Sequence, residues 1–275
     1  MKDKELEVLN IVIYEFVKGG KSMAKILSVA NQKGGVAKTT TAVNLGACLS
    51  NFGKKVLVVD IDPQGNATSG LGIERLTLTN CIYDVLVNNV PVVNVIKSTE
   101  IGNLELVPAT IQLAGAEIEL VSSMSREKKL KKALKTIVNS YDYILIDCPP
   151  SLGLLTLNAL TASDGVLIPI QCEYYALEGL GQLMNTIQLV QKHLNKNLEI
   201  EGVLLTMFDA RTNLSIQVVD EVKKYFKNKV YKTIIPRNVR LSEAPSHGKP
   251  IIYYDPRSKG AQVYEEFAKE VMNNG

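Results

Sequence analysis

No apolar run in these 275 residues approaches the ~20 residues needed to span a membrane. The apolar stretch at residues 11–17 is interrupted by Glu15 and is followed by no small-residue cleavage site, so it does not read as a signal peptide. Cysteine is scarce: Cys48, Cys81, Cys148 and Cys172 lie far apart, with no Cys-x-x-Cys pair among them. That spacing excludes a zinc ribbon and a thioredoxin-like redox centre, and fits buried small hydrophobes in a reducing compartment. A large excess of charge is also lacking. With a net charge of only +3, a nucleic-acid surface would have to be a local patch and not a general basic coat. Low-complexity tracts, internal repeats and Pro/Ser-rich linkers are absent, which argues for one domain over residues 23–275. At 46% hydrophobic residues the chain can bury a full core without disulfide or metal staples.

What is present is an alternation of apolar β-branched runs with helical patterns. Strands are expected at 26–30, 56–60, 104–107, 143–147, 166–170, 202–207 and 230–235, and helices at 39–52, 126–139, 177–194, 214–226 and 261–272. Several strands are apolar at successive positions, the pattern of strands covered on both faces. The expected fold class is α/β: a doubly wound, mostly parallel sheet flanked by helices, with ligands at the carboxyl ends of its strands. Residues 1–22 precede the first convincing strand. Lys18-Gly19-Gly20 can be encoded by an A-rich run containing AAGGAGG, which resembles a ribosome-binding site two codons before Met23. The N-terminal extension is therefore expected to be a translated leader, with an amphipathic helix as the other reading.

The first strand runs into Asn31-Gln32-Lys33-Gly34-Gly35-Val36-Ala37-Lys38-Thr39-Thr40-Thr41, and a helix follows. Strand, glycine turn and helix is the context a phosphate-binding loop needs. Gly34 and Gly35 let backbone N–H groups approach phosphates, and the helix N-terminus adds its positive dipole end. Lys38 offers a point charge for the β- and γ-phosphates, and the Thr39 hydroxyl can ligate Mg²⁺. Two further strands end in carboxylates on the same edge: Asp60-Ile61-Asp62-Pro63-Gln64-Gly65-Asn66 and Asp147-Cys148-Pro149-Pro150. A lone strand-end aspartate reads as a turn cap. Two such ends beside a phosphate loop read as a metal and water site.

The loop resembles the deviant Walker A form Lys-Gly-Gly-x-Gly-Lys-Thr of the ParA/MinD group of P-loop NTPases, with Lys33 as the extra signature lysine. Ala37 stands where that form has glycine, and is expected to keep negative φ. Further similar segments are Ile111–Glu117, Glu173–Gly179 and Ile235–Pro245, and together they look like a short, Soj-type ParA. The resemblance covers nearly all of residues 23–275. It implies ATP and Mg²⁺ as cofactors, with Lys33, Gly34, Gly35, Val36, Ala37, Lys38, Thr39 and Thr40 around the phosphates. It makes Lys33, Lys38 and Asp62 the catalytic set, Lys33 reaching across a dimer and Asp62 orienting the attacking water. Thr39, Asp60 and Asp147 become the metal residues, Asp147 acting through water. Met207, Pro236 and Asn238 would lie at the adenine.

The resemblance further implies an ATP-dependent homodimer that binds DNA non-specifically and hydrolyses ATP with a ParB-like partner. Chromosome or plasmid partition would be the role and the nucleoid in the cytoplasm the location. Arg211 and Arg240 match DNA-contacting positions, and Lys223, Lys224 and Lys227, read as one helical face, could join them; a solvated lysine face is the alternative. The runner-up within the group is a MinD-like membrane-positioning ATPase. Against it, the C-terminal segment 264–272 has a mostly acidic polar face, which anionic lipid would repel, so no stable membrane association is expected. An ATP-using ligase of the dethiobiotin synthetase type remains a reading from another class, separable by what stimulates turnover.

Overall fold

The computed structural model describes residues 23–173 and 179–274. Residues 1–22, on which the expectation of a translated leader rests, lie outside the described residues, as do residues 174–178. One eight-stranded sheet runs in the order β3-β4-β2-β5-β1-β6-β7-β8. Its strands are β1 (Lys25–Val29), β2 (Val56–Asp60), β3 (Lys97–Ser98), β4 (Leu104–Val107), β5 (Tyr143–Asp147), β6 (Gly165–Gln171), β7 (Glu199–Phe208) and β8 (Val230–Pro236). All pairings are parallel except that of the two-residue edge strand β3 with β4.

The successive apolar residues are explained by two cores, one on each face. Along β2, Leu57 and Val59 enter one core while Val56 and Val58 enter the other; along β5, Ile144 and Ile146 are separated from Tyr143 and Leu145 in the same way. A strand between two helical layers has no solvent face, so neither parity can be polar.

Helix α1 (Lys38–Asn51) follows β1 and packs on one face with α11 (Lys259–Asn273), through Leu45, Leu49, Tyr264 and Phe267. Short helices α2 (Asn66–Gly70), α3 (Ile82–Leu86) and α4 (Leu113–Glu119) occupy the stretch from β2 to β5. The other face is covered by α5 (Lys129–Leu134), α6 (Leu154–Ala162), α7 (Leu180–His193) and α8 (Asn213–Phe226). In α7 the buried residues Leu180, Leu183, Ile187 and Val190 keep the spacing of one helical stripe. Helix α8 starts where the Thr212 hydroxyl accepts from Ser215 N, and α11 where Ser258 accepts from Ala261 N, both side-chain caps. Helices α9 (Val239–Glu243) and α10 (Ile251–Tyr254) complete the chain between β8 and α11.

Two helices depart from expectation. The segment expected as one helix over 126–139 is helical only in α5, with 3-10 turns on either side. Past α5, the Thr136 hydroxyl bonds back to Ala133 O and Ile137 N to Leu134 O, so the chain tightens and turns into β5. Helix α6 carries no polar stripe because nearly every residue from Leu155 to Ala162 is buried, which removes the amphipathic signal.

Candidate functional site

The parallel register brings three strand ends level. Asp60 of β2 pairs with Asp147 of β5, and Asp147 pairs in turn with Val29 of β1, the strand that runs into the glycine loop. The loop is pinned from both sides. The Asn31 amide donates to Pro169 O (2.8 Å) and its carbonyl accepts from Lys33 N (3.0 Å), while the Thr206 hydroxyl donates to Val36 O (3.2 Å). Asn31 and Thr206 flank the phosphate loop without belonging to its motif, and only the fold identifies their roles. Gly34 and Gly35 are exposed at the loop's outer surface.

Lys38 begins α1 and is 6% exposed. Its ammonium donates to Lys33 O at 3.0 Å. Burial lowers the Lys38 pKa, and the facing Asp147 carboxylate is the largest influence opposing that shift. The Lys33 ammonium makes no hydrogen bond or ion pair among the described residues, while its backbone holds the loop together. Thr39 and Thr40 follow on the first turn of α1, and both are half-buried.

Ala37 corrects the sequence reading. Negative φ was expected, but the residue is left-handed at φ 70°, ψ 33°, where it caps α1 and its carbonyl accepts from Thr41 N at 2.9 Å. Chain direction dictates this: Gly35, also left-handed at φ 74°, curls the loop, and a second left-handed residue is needed to turn it into the helix axis. Glycine takes that conformation freely; alanine sits there under strain of about 1–2 kcal/mol.

The three carboxylates differ in what engages them. Asp60 is fully buried, and both its oxygens are engaged: Oδ1 by Asp62 N (3.2 Å), Oδ2 by Thr68 N (2.8 Å) and the Thr68 hydroxyl (2.7 Å). Asp60, expected near the metal, stands beside Asp147, and its oxygens also hold main chain. Desolvation pushes its pKa up to about 6 in spite of those donors. Asp62 Oδ1 accepts from Gln64 N at 2.9 Å, forming an Asx turn, and Oδ2 meets no hydrogen-bond donor among the described residues. Asp147 is the opposite of Asp60. It is fully buried, and neither oxygen meets a donor in hydrogen-bond geometry among the described residues. Burial raises its pKa well above the carboxylate range and the neighbouring Asp60 adds to the rise, while the nearby Thr39 hydroxyl offsets part of it. A buried carboxylate without donors is costly unless a cation or its water shell supplies them. Among the described residues, no cluster of three or more His, Cys, Asp or Glu could hold a metal by itself. The donor set therefore fits a hydrated Mg²⁺ brought in with phosphates and steered by one carboxylate, and not a protein-only cage.

Beyond Ala37 and Thr40 opens a cavity of about 430 Å³ whose walls include Met207, Pro236 and Asn238. Met207 is left-handed at φ 52°, so strained non-glycine residues stand on two sides of this cavity. Asn238 caps α9: its Oδ1 accepts from Arg240 N at 2.8 Å, which leaves the amide NH₂ as the group able to read a base edge.

The five basic residues expected at DNA are not one cluster. Arg211 precedes α8 and is gripped by Asp209 through Nε (2.9 Å) and Nη2 (2.7 Å). Arg240 is paired with Glu243 (2.9 Å) and Asp255 (3.5 Å). Lys223 and Lys224 are exposed at the far end of α8, about 15–17 Å along its axis from Asn213, where the helix starts just after Arg211, at 1.5 Å per residue. Lys227 lies past the helix at φ 51° and does not continue its face. A helix joining parallel strands runs back along the sheet, which carries the lysines to the edge opposite the phosphate loop.

Residues 24–200 match the family model described as an AAA domain. The sporulation initiation inhibitor protein Soj of Bacillus subtilis is 71% identical over 92% of this chain and 100% of its own length. The chromosome partitioning protein ParA of Myxococcus xanthus is 56% identical over 93% of this chain and 90% of its own. Among solved structures, cobyrinic acid a,c-diamide synthase from Mycobacterium smegmatis with bound ADP and magnesium has a TM-score of 0.81 and 41% identity, covering 91% of this chain and 95% of that one.

Proposed function

The chain belongs to the Soj/ParA family of chromosome-partitioning P-loop ATPases, and from that premise we propose that it is an ATP-gated dimerisation switch. In this reading the monomer binds Mg²⁺ and ATP, pairs with a second copy, binds DNA non-specifically and hydrolyses ATP with a ParB-like partner. Its place is the nucleoid in the cytoplasm and its role is chromosome or plasmid partition. Backbone N–H groups from Gly34 to Thr39 and the Lys38 ammonium would hold the phosphates. Thr39 would touch the metal and Asp147 its water shell. Bound Mg²⁺ supplies charge neutralisation at the phosphates.

The observation that carries the dimer is the contrast between two lysines of one loop. Lys38 is buried and bonded within its own chain, while the Lys33 ammonium, beside the exposed Gly34 and Gly35, has no partner among the described residues. Two ATP molecules brought face to face repel, and a lysine from each side offsets that repulsion in a poorly hydrated gap. Helix α11 buries its apolar residues Tyr264, Phe267, Ala268 and Val271 in the core, which takes that face away from any lipid surface.

Sedimentation with ADP and with ATP, in an Asp62→Ala background that slows hydrolysis, tests the switch. ATP should double the mass, and Lys33→Ala should lose the dimer while keeping ATP affinity. A Lys33→Ala protein that dimerises normally refutes the reading. Turnover measured with DNA plus partner, with lipid vesicles, or with a small carboxylic acid separates the switch from a membrane-positioning ATPase and from a small-molecule ligase.

A further inference from the structure

We propose that Thr68 is a positioning residue for ATP hydrolysis: acting through Asp60, it fixes the loop that carries Asp62. The inference rests on the reading of Asp62 as the water-orienting group. Asp62→Ala tests that reading independently of Thr68.

Thr68 lies in α2 and is fully buried. It supplies two of the three protein donors on the Asp60 carboxylate, its N–H at 2.8 Å and its hydroxyl at 2.7 Å. The third donor is Asp62 N, at 3.2 Å on the other oxygen. One fully buried carboxylate therefore joins α2 to the main chain of the candidate hydrolytic residue. The Thr68 hydroxyl is itself saturated, since its oxygen accepts from Ala109 N at 2.9 Å while its proton goes to Asp60. Ala109 follows β4, so the hydroxyl ties the chain leaving β4 to the end of β2.

The loop between these anchors is tightly set. Gly65 N donates to Asp62 O at 2.9 Å, and Gln64 N donates to the Asp62 carboxylate. Gly65 is left-handed at φ 63°, and a Cβ there would lie 2.9 Å from the Ala109 carbonyl oxygen. The loop is thus tied to Asp60 at the Asp62 main chain and lies against the Ala109 carbonyl, and the Thr68 hydroxyl bonds both Asp60 and Ala109 N. Without it, Asp60 keeps one donor from Thr68 and one from Asp62 N, Ala109 N loses its acceptor, and the Asp62 carboxylate is held less firmly relative to the phosphate loop. Misplacing a reacting group by about 1 Å can cost on the order of 10²-fold in rate while leaving ligand contacts made elsewhere intact.

The experiment compares Thr68→Ser, Thr68→Cys and Thr68→Val in the full chain, by single-turnover ATP hydrolysis with enzyme in excess and by direct ATP binding. Serine keeps the hydroxyl and loses a methyl; valine keeps the volume and loses the hydroxyl; cysteine offers a weak donor. The expected order of hydrolysis rate is Thr, Ser, Cys, Val, with valine down by roughly tenfold or more and ATP affinity changed by less than about threefold. Should the valine protein not fold, the order of threonine, serine and cysteine still decides. Rates that follow side-chain volume, with serine as impaired as cysteine, or affinity that falls in step with rate, overturn the proposal.

Discussion

Replacing Ala37 by glycine changes one methyl group, and the left-handed cap of α1 determines the sign of the effect. At φ 70° the alanine Cβ presses on the following carbonyl, a strain of about 1–2 kcal/mol that glycine does not feel. Against this, glycine makes the unfolded chain freer, which costs about 0.4–1 kcal/mol. The methyl is half-buried on the cavity wall and forfeits some burial, a few tenths of the ~0.8 kcal/mol of a buried methylene. The sum favours Ala37→Gly by about 0.5 kcal/mol, a rise in melting temperature of roughly 1–2 °C for a domain of this size. Had the residue kept negative φ as the first residue of a helix, glycine would cost up to ~1 kcal/mol and lower the melting temperature by about 2–4 °C. Thermal unfolding of the nucleotide-free protein followed by circular dichroism separates the two signs. ATP titration of the same samples should give an affinity within about threefold of the parent, under ~0.7 kcal/mol. A melting temperature lowered by 2 °C or more would refute the strained-cap account.

Asp62→Ala should keep ATP affinity and slow hydrolysis by on the order of 10²-fold, read in single-turnover quench, because the protein's part in phosphoryl transfer is largely positioning. Asp147→Asn should lose Mg²⁺-dependent turnover yet raise the melting temperature of the nucleotide-free protein at pH 7 by roughly 2–4 °C, since a buried carboxylate without donors is removed. The sign follows from linkage. A carboxyl whose native pKa is raised holds its proton more tightly when folded, so stability falls as pH climbs from about 4 through the native value, about 6 for Asp60 and likewise raised for Asp147. Melting curves from pH 4 to 8 should therefore flatten in Asp147→Asn; an unchanged slope would contradict the assignment. Glu243→Gln should remove the shorter of Arg240's two ion pairs, leaving that to Asp255, and raise DNA affinity by roughly two- to fivefold, whereas Arg240→Ala should lower both the affinity and its salt slope. Filter binding across a salt series reads both.

The phosphate loop and the strand ends were legible because their signals are local. Strand β2 and its terminal Asp60, β5 and its terminal Asp147, and the Lys38-Thr39 start of α1 are each written in a few consecutive residues. What the sequence did not disclose depends on residues far apart meeting. The handedness of Ala37 follows from the path between Gly35 and α1. The engagement of Asp60 follows from α2 folding back under its own strand, and Asn31 and Thr206 gain their roles from Pro169 and Val36 across the sheet. The lysines of α8 looked like company for Arg211 because both stand on one short stretch of sequence, but a crossover helix separates its two ends along the whole height of the sheet.

The position of β1 bears on the order of events during synthesis. Its neighbours are β5 and β6, with Lys25 paired to Tyr143 and Leu27 to Gly165. As the first of the described strands to leave the ribosome, β1 must therefore wait for partners more than a hundred residues downstream, roughly 7–30 s at ordinary elongation rates. Through that interval a short β-prone segment stays unpaired, the kind of stretch on which chaperones act and nascent chains aggregate. The phosphate loop is fastened later still, since its Val36 carbonyl receives Thr206 from β7. Nucleotide can then select only nearly finished chains. It would protect the completed domain from unfolding by mass action and do nothing for a chain stalled before β7, so premature termination there should yield fragments that ATP cannot rescue.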